Sequence, residues 1–206
     1  MTDLRASFDL RTGAQTLRER VVPACVFVPP GLEGITREAR PAIHPAHAAP
    51  SHAALVNEVP AGMGEVLVVN GRCPLPPVDH PPALGHALVD EETGDLIVAR
   101  VPGRDVARVA GGDLAGLTLS PLAGRHLISR PWHVRAFRDA CMAHDLKHLC
   151  AHADNSPRHL AGVSLVGWGP LTNQGTICAG VVLDLTHGPI AILEHAVVRP
   201  GAVLIG

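Results

Sequence analysis

The sequence predicts a mixed α/β domain that runs into a parallel β-solenoid at its carboxyl-terminal end. Three observations support this: an apolar run at 65–69, a strand–turn–strand pattern at 87–100, and a six-residue period of aliphatic residues after position 177. The chain has 206 residues, of which 47% are hydrophobic and 17% charged. That is enough apolar material for one substantial domain with a smaller element appended to it.

Composition excludes several classes of function. A net charge of -2, the absence of a lysine or arginine block, and only 3 Phe and 2 Trp argue against nucleic-acid binding. No run approaches the roughly 20 apolar residues of a membrane helix, and no signal peptide is visible at the start. The five cysteines are an odd number without a Cys-x-x-Cys pair. These features predict a reduced, cytoplasmic protein.

The run at 65–69 is uniformly apolar after Glu65, which is typical of a central strand covered on both faces. It ends at Asn70-Gly71-Arg72, so polar groups follow the carboxyl end of the strand, where open α/β sheets bind ligands. Residues 87–90 and 95–100 flank a Glu-Glu-Thr-Gly turn and predict a β-hairpin. Helices are expected over 105–119, with a break at Gly111-Gly112, and from Ser129 to about residue 153.

The carboxyl-terminal segment repeats every six residues. Aliphatic residues recur at Ile192, Val198 and Leu204, and alanines recur at 196 and 202. This period suits a three-sided solenoid in which the aliphatic side chains point inward and the small residue lies at the turn. Ile177 and Leu183 continue the phase upstream, with an insertion of three expected around 187–189. An ordinary two-stranded edge of valine-rich runs is the alternative.

Five segments, taken in order, resemble the GlmU-like sugar nucleotidyltransferase family, whose members are similar to bacterial N-acetylglucosamine-1-phosphate uridyltransferases and glucose-1-phosphate thymidylyltransferases. The best match is the last, which resembles the start of the hexapeptide-repeat domain in that family. The segments are Leu4-Arg5-Ala6-Ser7-Phe8-Asp9-Leu10-Arg11-Thr12-Gly13, Thr16-Leu17-Arg18-Glu19-Arg20, Val69-Asn70-Gly71-Arg72, Arg130-Pro131-Trp132-His133-Val134, and Val182-Leu183-Asp184 through Gly188-Pro189-Ile190 to Gly206.

The resemblance implies a partial Rossmann-like nucleotidyltransferase domain at 1–128, a linking helix region at 129–160, and a left-handed parallel β-helix at 161–206. A family member is expected to open with an apolar strand and a glycine-rich phosphate loop, whereas this sequence begins with Met1-Thr2-Asp3. It also stops as a new hexapeptide begins. We therefore expect a fragment, with the amino-terminal strand and loop missing and the β-helix truncated.

The resemblance also implies substrates, cofactors and site residues. The substrates are a sugar 1-phosphate and a nucleoside triphosphate, or a nucleotide-sugar, with Mg²⁺ to neutralise charge. Arg5 and Arg11 are the catalytic candidates because phosphoryl transfer depends on positioning and cationic stabilisation. Asn70, Gly71 and Arg72 are the substrate-binding candidates. The competing interpretations are surface arginines and an Asn-Gly turn that satisfies only its own backbone.

The histidines suggest two further chemistries. His144, His148 and His152 are spaced i, i+4 and i+8, which would place them on one helical face near Cys141. One metal ion could reach only two of them, because the outer pair is about 12 Å apart along a helix. A solvated helical face is the competing interpretation, and no metal site is assigned from the sequence. His44, His47 and His52 lie in a Pro-Ala-rich segment and carry less weight.

His187 and His195 fall in the predicted solenoid, where acyltransferases of the hexapeptide type place a general base and use acetyl-CoA. A structural histidine on the outer wall is the competing interpretation for each. Three functions thus stay open on the sequence. They are a sugar-1-phosphate nucleotidyltransferase with an acyltransferase-type β-helix, a non-catalytic nucleotide-sugar-binding or trimerisation module that forms a homotrimer, and a His-rich metal-binding protein.

Overall fold

A computed structural model describes residues 12–21, 25–28, 55–59, 61–151 and 160–206. The chain divides into two units, Met1–Cys141 and Met142–Gly206, each with buried apolar clusters of its own. The first unit contains α1 (Leu17–Val21), β1 (Cys25–Val26), β2 (Leu55–Val56), β3 (Glu65–Val69), β4 (His86–Asp90), β5 (Leu96–Pro102), α2 (Val106–Ala110) and β6 (Thr118–Leu122). Helix α3 (His133–Leu149) spans the boundary between the units. The predicted α/β class is confirmed at the level of a mixed α/β protein with few helices.

The main sheet of the first unit has four strands in the order β3-β5-β4-β6. Strand β5 pairs antiparallel with β3 and β4, and β6 pairs parallel with β4. The predicted hairpin is confirmed as β4 and β5. Strand β5 is the most deeply buried, with Ile97, Val98, Ala99 and Val101 fully covered, because apolar clusters pack on both of its faces.

The prediction that residues 65–69 form a central strand is wrong. Strand β3 lies at the edge of this sheet with β5 as its one partner among the described residues, and its side chains are half-buried or exposed. An unbroken valine-rich run therefore does not require cover on both faces, because β-branched side chains also suit a half-buried pleated surface. The pairing β3–β5 is antiparallel, so the argument from parallel strand ends does not apply to residues 70–72.

The predicted helix over 105–119 is much shorter in the structure. Helix α2 ends at Ala110, and a turn follows in which Gly112 adopts a φ of 91°. Only glycine adopts such a backbone readily, so the chain can reverse there. Residues from Thr118 onward then form β6. The helix expected from Ser129 begins at His133, where the Ser129 hydroxyl lies 3.3 Å from His133 Nδ1, and it ends at Leu149.

The second unit consists of short parallel strands stacked in three ladders. The strands are β7 (Ser164–Val166), β8 (Leu171–Asn173), β9 (Thr176–Ile177), β10 (Val182–Asp184), β11 (Ile190–Ile192), β12 (Val197–Val198) and β13 (Val203–Ile205). The ladders are β7-β10-β13, β8-β11 and β9-β12. Each paired strand thus lies beside the strand three places along the chain.

The inward positions predicted from the six-residue period are confirmed. Leu183 and Ile192 are buried in one cluster with Leu171, Val181, Leu185 and Ile190. The remaining predicted aliphatic positions pack against that cluster: Ile177, Val198 and Leu204. Ala196 and Ala202, which were predicted to lie at turns, pack against it as well. Neighbouring positions point outward, since Val197, Val203 and Ile205 are all more than half exposed.

The insertion of three is divided between two turns and is not confined to 187–189. The spacing between paired positions grows along the chain, as shown by the pairs Ser164–Val182, Leu171–Ile190 and Thr176–Val197. The second spacing exceeds the first by one position, and the third exceeds the second by two. One extra residue therefore precedes β11, and two more lie in the turn between β11 and β12. A period of aliphatic residues cannot locate these additions because they fall between inward positions.

Among the helices in the described ranges, none is long and apolar enough to cross a membrane.

Candidate functional site

The turn after β3 contains the substrate-binding candidates Asn70, Gly71 and Arg72. The Asn70 side-chain amide donates to the Leu96 carbonyl at 2.6 Å, and its side-chain oxygen accepts from the Arg72 backbone N–H at 2.9 Å. The Asn70 backbone N–H donates to Ile97 O at 3.0 Å. These contacts hold the turn against β5. The side chain of Asn70 therefore has a structural role, which was the competing interpretation from the sequence.

The Arg72 guanidinium is paired with the Asp95 carboxylate, at 2.5 Å between Nη2 and Oδ2. Asp95 lies in the hairpin turn between β4 and β5, and both side chains are about one-third to two-fifths exposed. An ion pair at this exposure contributes about 0–1 kcal/mol to stability. Its main consequence is that the charges of Arg72 and Asp95 balance each other. Arg72 is therefore not an unpaired cation that is free to bind a phosphate.

The same turn is covered by two further contacts in the first unit. The Ile128 backbone N–H donates to the Arg72 carbonyl at 2.8 Å. Cys73 is almost fully buried, and burial raises the pKa of its thiol to about 12, with the neighbouring Cys141 adding to the effect. A thiol held protonated in this way is a poor nucleophile. The cysteine therefore serves the core and not the chemistry of the site.

Sequence reasoning missed Arg20 as a residue of this region. Its guanidinium donates to the Thr12 hydroxyl at 2.9 Å, to the Gln15 carbonyl at 2.8 Å and to the Pro74 carbonyl at 3.1 Å. Thr12 and Pro74 are both buried. One side chain thus joins the segment before α1 to the loop after residues 70–72. The only signal was its place in the Thr16-Leu17-Arg18-Glu19-Arg20 segment, which does not indicate this contact.

Arg5 and Arg11, the catalytic candidates, lie outside the described residues. Thr12, the next residue in sequence after Arg11, is held by Arg20 as described above. The structure therefore brings together one residue from the first matching segment and one residue just after the Asn70-Gly71-Arg72 segment.

The hairpin turn next to Arg72 is organised by Asp90. Its Oδ1 accepts hydrogen bonds from the Glu92 N–H at 3.2 Å, and from the N–H and hydroxyl of Thr93, each at 3.0 Å. Burial by itself would raise the pKa of Asp90. The hydrogen bonds from Thr93 and Glu92, with the charge of nearby His126, outweigh burial and lower the pKa below its ordinary value.

We expect Asp90 to stabilise the fold least at low pH. Its folded pKa lies below the ordinary value of about 3.9, so its contribution is complete above that value and is lost as pH falls through the lowered one. Urea unfolding of the wild type and Asp90→Asn should differ more at about pH 7 than at about pH 3. Asp79→Asn, at an exposed position, is the control. An equal difference in stability between the wild type and Asp90→Asn at both pH values would contradict the prediction.

His187 and His195, the proposed acyltransferase bases, lie in different turns of the second unit. His187 is exposed in the turn before β11, close enough to Asp184 to lower the pKa of that carboxyl together with hydrogen bonds from Thr186, which contribute most. The His195 side chain is 88% exposed and lies 3.7 Å from the Glu194 carboxylate. Strand β11 lies between the two histidines in the chain.

His195 has a left-handed backbone, with a φ of 65°. It occupies the third place of the turn Leu193–Ala196, which is closed by the Ala196 N–H donating to Leu193 O at 3.1 Å. The equivalent place in the turn Arg199–Ala202 is Gly201, with a φ of 81°. The position therefore favours glycine, and the histidine is kept there at a cost in backbone energy.

We expect His195→Gly to raise the free energy of unfolding by about 1 kcal/mol. The left-handed backbone costs a side-chain-bearing residue about 1–2 kcal/mol, which exceeds the extra entropy of glycine in the unfolded chain, about 0.5–1 kcal/mol. Chemical unfolding followed by Trp168 fluorescence measures the change. Glu194→Gly, one residue earlier and without positive φ, should be destabilising. A loss of stability in His195→Gly would show that its side chain has a structural role.

The histidines of the predicted helical face are partly confirmed as neighbours. His144 and His148 are in contact on α3, with ring centroids 4.4 Å apart, whereas His152 lies outside the described residues. So do His44, His47 and His52. Within the ranges that the structure covers, no three His, Cys, Asp or Glu side chains are grouped so that they could hold a metal ion.

Comparison of the chain with protein-family models, with curated proteins and with solved structures gives no match.

Proposed function

We propose that the chain is a sugar-1-phosphate nucleotidyltransferase-like protein of nucleotide-sugar metabolism. In this proposal its first unit is part of a Rossmann-like nucleotidyltransferase domain, and its second unit belongs to a left-handed parallel β-helix. The family resemblance in the sequence suggests this function. The observation that carries it further is the set of contacts made by Arg20.

The Arg20 contacts support a common site for two of the matching segments. A single guanidinium binds Thr12, which follows Arg11, and Pro74, which follows shortly after Arg72. These two segments are far apart in sequence, and the Arg20 contacts bring them together. Their joining by a part-buried arginine is what a phosphate-handling site assembled from both would need.

The stacked ladders support the second half of the proposal. Along β7-β10-β13, Ser164 pairs with Val182, and Val182 pairs in turn with Val203. The first of these steps equals three six-residue sides per turn, and the second is longer by the insertion of three. Gly162, Gly180 and Gly201 share one corner of this stack, where the N–H of Gly180 donates to Gly162 O and that of Gly201 to Gly180 O. All three have positive φ, which a tight repeated corner favours.

The proposed reaction is nucleotidyl transfer. An oxygen of the sugar 1-phosphate attacks the α-phosphorus of the nucleoside triphosphate, and the bond to the β-phosphate oxygen breaks to release pyrophosphate. The barrier falls through positioning and through cations that stabilise the charge on the phosphoryl oxygens. Arg5 and Arg11 are assigned to this role, because a guanidinium can bind two phosphate oxygens at once. Arg72, already paired with Asp95, is assigned to positioning the turn.

Mg²⁺ would supply additional neutralisation of the phosphates. The residues that the structure describes offer no group of three carboxylate, imidazole or thiol ligands for it. Mg²⁺ in proteins is commonly held by one or two carboxylates together with substrate phosphates and water. Acetyl-CoA would enter only if the β-helix carries acyl transfer.

The test is release of pyrophosphate from UTP with N-acetylglucosamine 1-phosphate or glucose 1-phosphate, and from dTTP with glucose 1-phosphate, in the presence of Mg²⁺. Arg11→Gln should lower kcat/KM at least tenfold while leaving the circular dichroism spectrum unchanged. Arg104→Gln is the control, since the Arg104 side chain is 85% exposed. Absence of turnover with every pair, together with absence of calorimetric binding of UDP- and dTDP-sugars, would refute the proposed function.

A second candidate is a non-catalytic nucleotide-sugar-binding or trimerisation module. The observation in its favour is the exposed apolar surface of the ladders, where Val203 is 59% and Ile205 68% exposed. Contiguous exposed apolar side chains often mark an interface. Sedimentation equilibrium should then give a homotrimer, and Ile205→Glu should shift it to monomer. Trimer formation and nucleotide-sugar binding without pyrophosphate release would favour this candidate over the enzyme.

A further inference from the structure

Two imidazoles on α3 lie against each other in the second unit. His144 and His148 are four residues apart on the helix, the spacing that places side chains one above the other on the same face. Their ring centroids are 4.4 Å apart and the rings are tilted by 50°. The His144 side chain is 37% exposed, and His148 is exposed as well. Both rings are therefore accessible from solvent and already close together.

The surroundings of His144 determine which ring nitrogen is available. Its Nδ1 is buried and has no hydrogen-bond partner among the described residues. The Asp145 carboxylate lies close to this nitrogen, with Oδ1 3.6 Å from Nδ1, and Asp145 is itself completely buried. A carboxylate at this distance favours a proton on Nδ1, which leaves the lone pair of the neutral ring on Nε2. The interaction is electrostatic, because 3.6 Å is too long for a hydrogen bond and Nδ1 makes none among the described residues.

The separation of the rings fits two ligands of one ion. With a metal–nitrogen distance of about 2.0–2.1 Å, a metal lies about 3.2 Å from the centre of each imidazole. Two such ligands at a right angle would have ring centres about 4.5 Å apart, a value calculated from the same metal–nitrogen distance. The observed separation of 4.4 Å is close to this value.

We propose that His144 and His148 bind one divalent transition-metal ion through adjacent coordination positions. Imidazole nitrogen suits Cu²⁺, Ni²⁺ and Zn²⁺, with Cu²⁺ bound most tightly in the usual order of affinities. The described residues supply no third ligand. Asp145 is the positioning residue that fixes the tautomer of His144. This site is independent of the proposed nucleotidyl transfer.

The test is equilibrium dialysis of the whole chain against Ni²⁺, and then Zn²⁺, without any other ligand. We expect one ion per chain bound at the pair, weakened at least tenfold in His144→Gln and in His148→Gln. His187→Gln, which changes an exposed histidine elsewhere in the second unit, is the control and should change the affinity less than twofold. Binding that is absent, or unchanged in both helix variants, would overturn the proposal.

A second measurement does not depend on how well the variants fold. Nitrogen-15 spectra of the imidazole rings of the wild type should show His144 protonated at Nδ1, and addition of Zn²⁺ should shift Nε2 of both His144 and His148. A His144 ring protonated at Nε2, or a shift confined to histidines outside α3, would contradict the site.

Discussion

Leu183→Ala is expected to lower the free energy of unfolding by about 2–5 kcal/mol. Leu183 is completely buried, and in the central strand of the ladder β7-β10-β13 it pairs in register with Leu165 on one side and Leu204 on the other. Truncation removes apolar contacts in the stack and leaves a cavity that two fixed neighbouring strands cannot close. Urea unfolding followed by Trp168 fluorescence, in a Trp132→Phe background that leaves one tryptophan, would measure it.

Val203→Ala provides the matched control for Leu183→Ala. Val203 belongs to the same ladder but is 59% exposed, so its truncation should change stability by about 0.5 kcal/mol or less. The contrast tests the alternation of inward and outward positions and not merely the apolar content of the strands. Equal effects in the two variants, or a loss below about 1 kcal/mol for Leu183→Ala, would contradict the assignment of the inward positions.

The period of the carboxyl-terminal segment predicted which side chains would share a core. In a stacked chain every turn needs an apolar side chain of similar size at the same inward position. Leu183 and Ile192 were predicted inside on this ground and are buried. The period could not place the three extra residues, which fall in turns where no inward side chain marks the phase. Part of the insertion lies in the turn that contains His195. The backbone at His195 is left-handed, but the residue is not a glycine, so the sequence gives no sign of this conformation.

The first unit was predicted less well because its strands depend on partners distant in sequence. The hairpin β4–β5 is local and was predicted correctly. The edge position of β3 was not predicted, because an apolar run does not indicate how many strands will pair with it. The same limit applies to the site. Asn70 and Arg72 were found from a short motif, but their bonds to Leu96 and Asp95 come from the packing of β3 against β5.

The pair His144 and His148 was predicted from spacing alone, since four residues along a helix bring side chains together whatever the rest of the fold does. What the spacing could not predict is the buried carboxylate of Asp145 beside His144 Nδ1. An adjacent residue on a helix ordinarily points elsewhere. This carboxylate favours a proton on Nδ1 of His144, which leaves Nε2 as the ligand atom in the site that we propose.

Arg20→Met is expected to lower the free energy of unfolding of the first unit by about 2–4 kcal/mol. The change keeps much of the aliphatic stem but removes the donors to Thr12, Gln15 and Pro74. Thr12 and Pro74 are buried, so their oxygens would lose a charged partner without gaining water. Trp132 fluorescence in a Trp168→Phe background would follow the unfolding of this unit.

Two further variants decide what the Arg20 contact does. Arg104→Met removes an arginine whose side chain is 85% exposed and should change stability by about 0.5 kcal/mol or less. Arg20→Lys keeps the charge but cannot reproduce the planar fork that serves three oxygens, so it should recover only part of the loss. If Arg20→Lys also lowers kcat/KM for pyrophosphate release by more than its loss of folded protein accounts for, Arg20 positions the two segments for chemistry. If Arg20→Met proves as stable as Arg104→Met, the joining of Thr12 to Pro74 does not hold this region together, and the support it gives to a common site is lost.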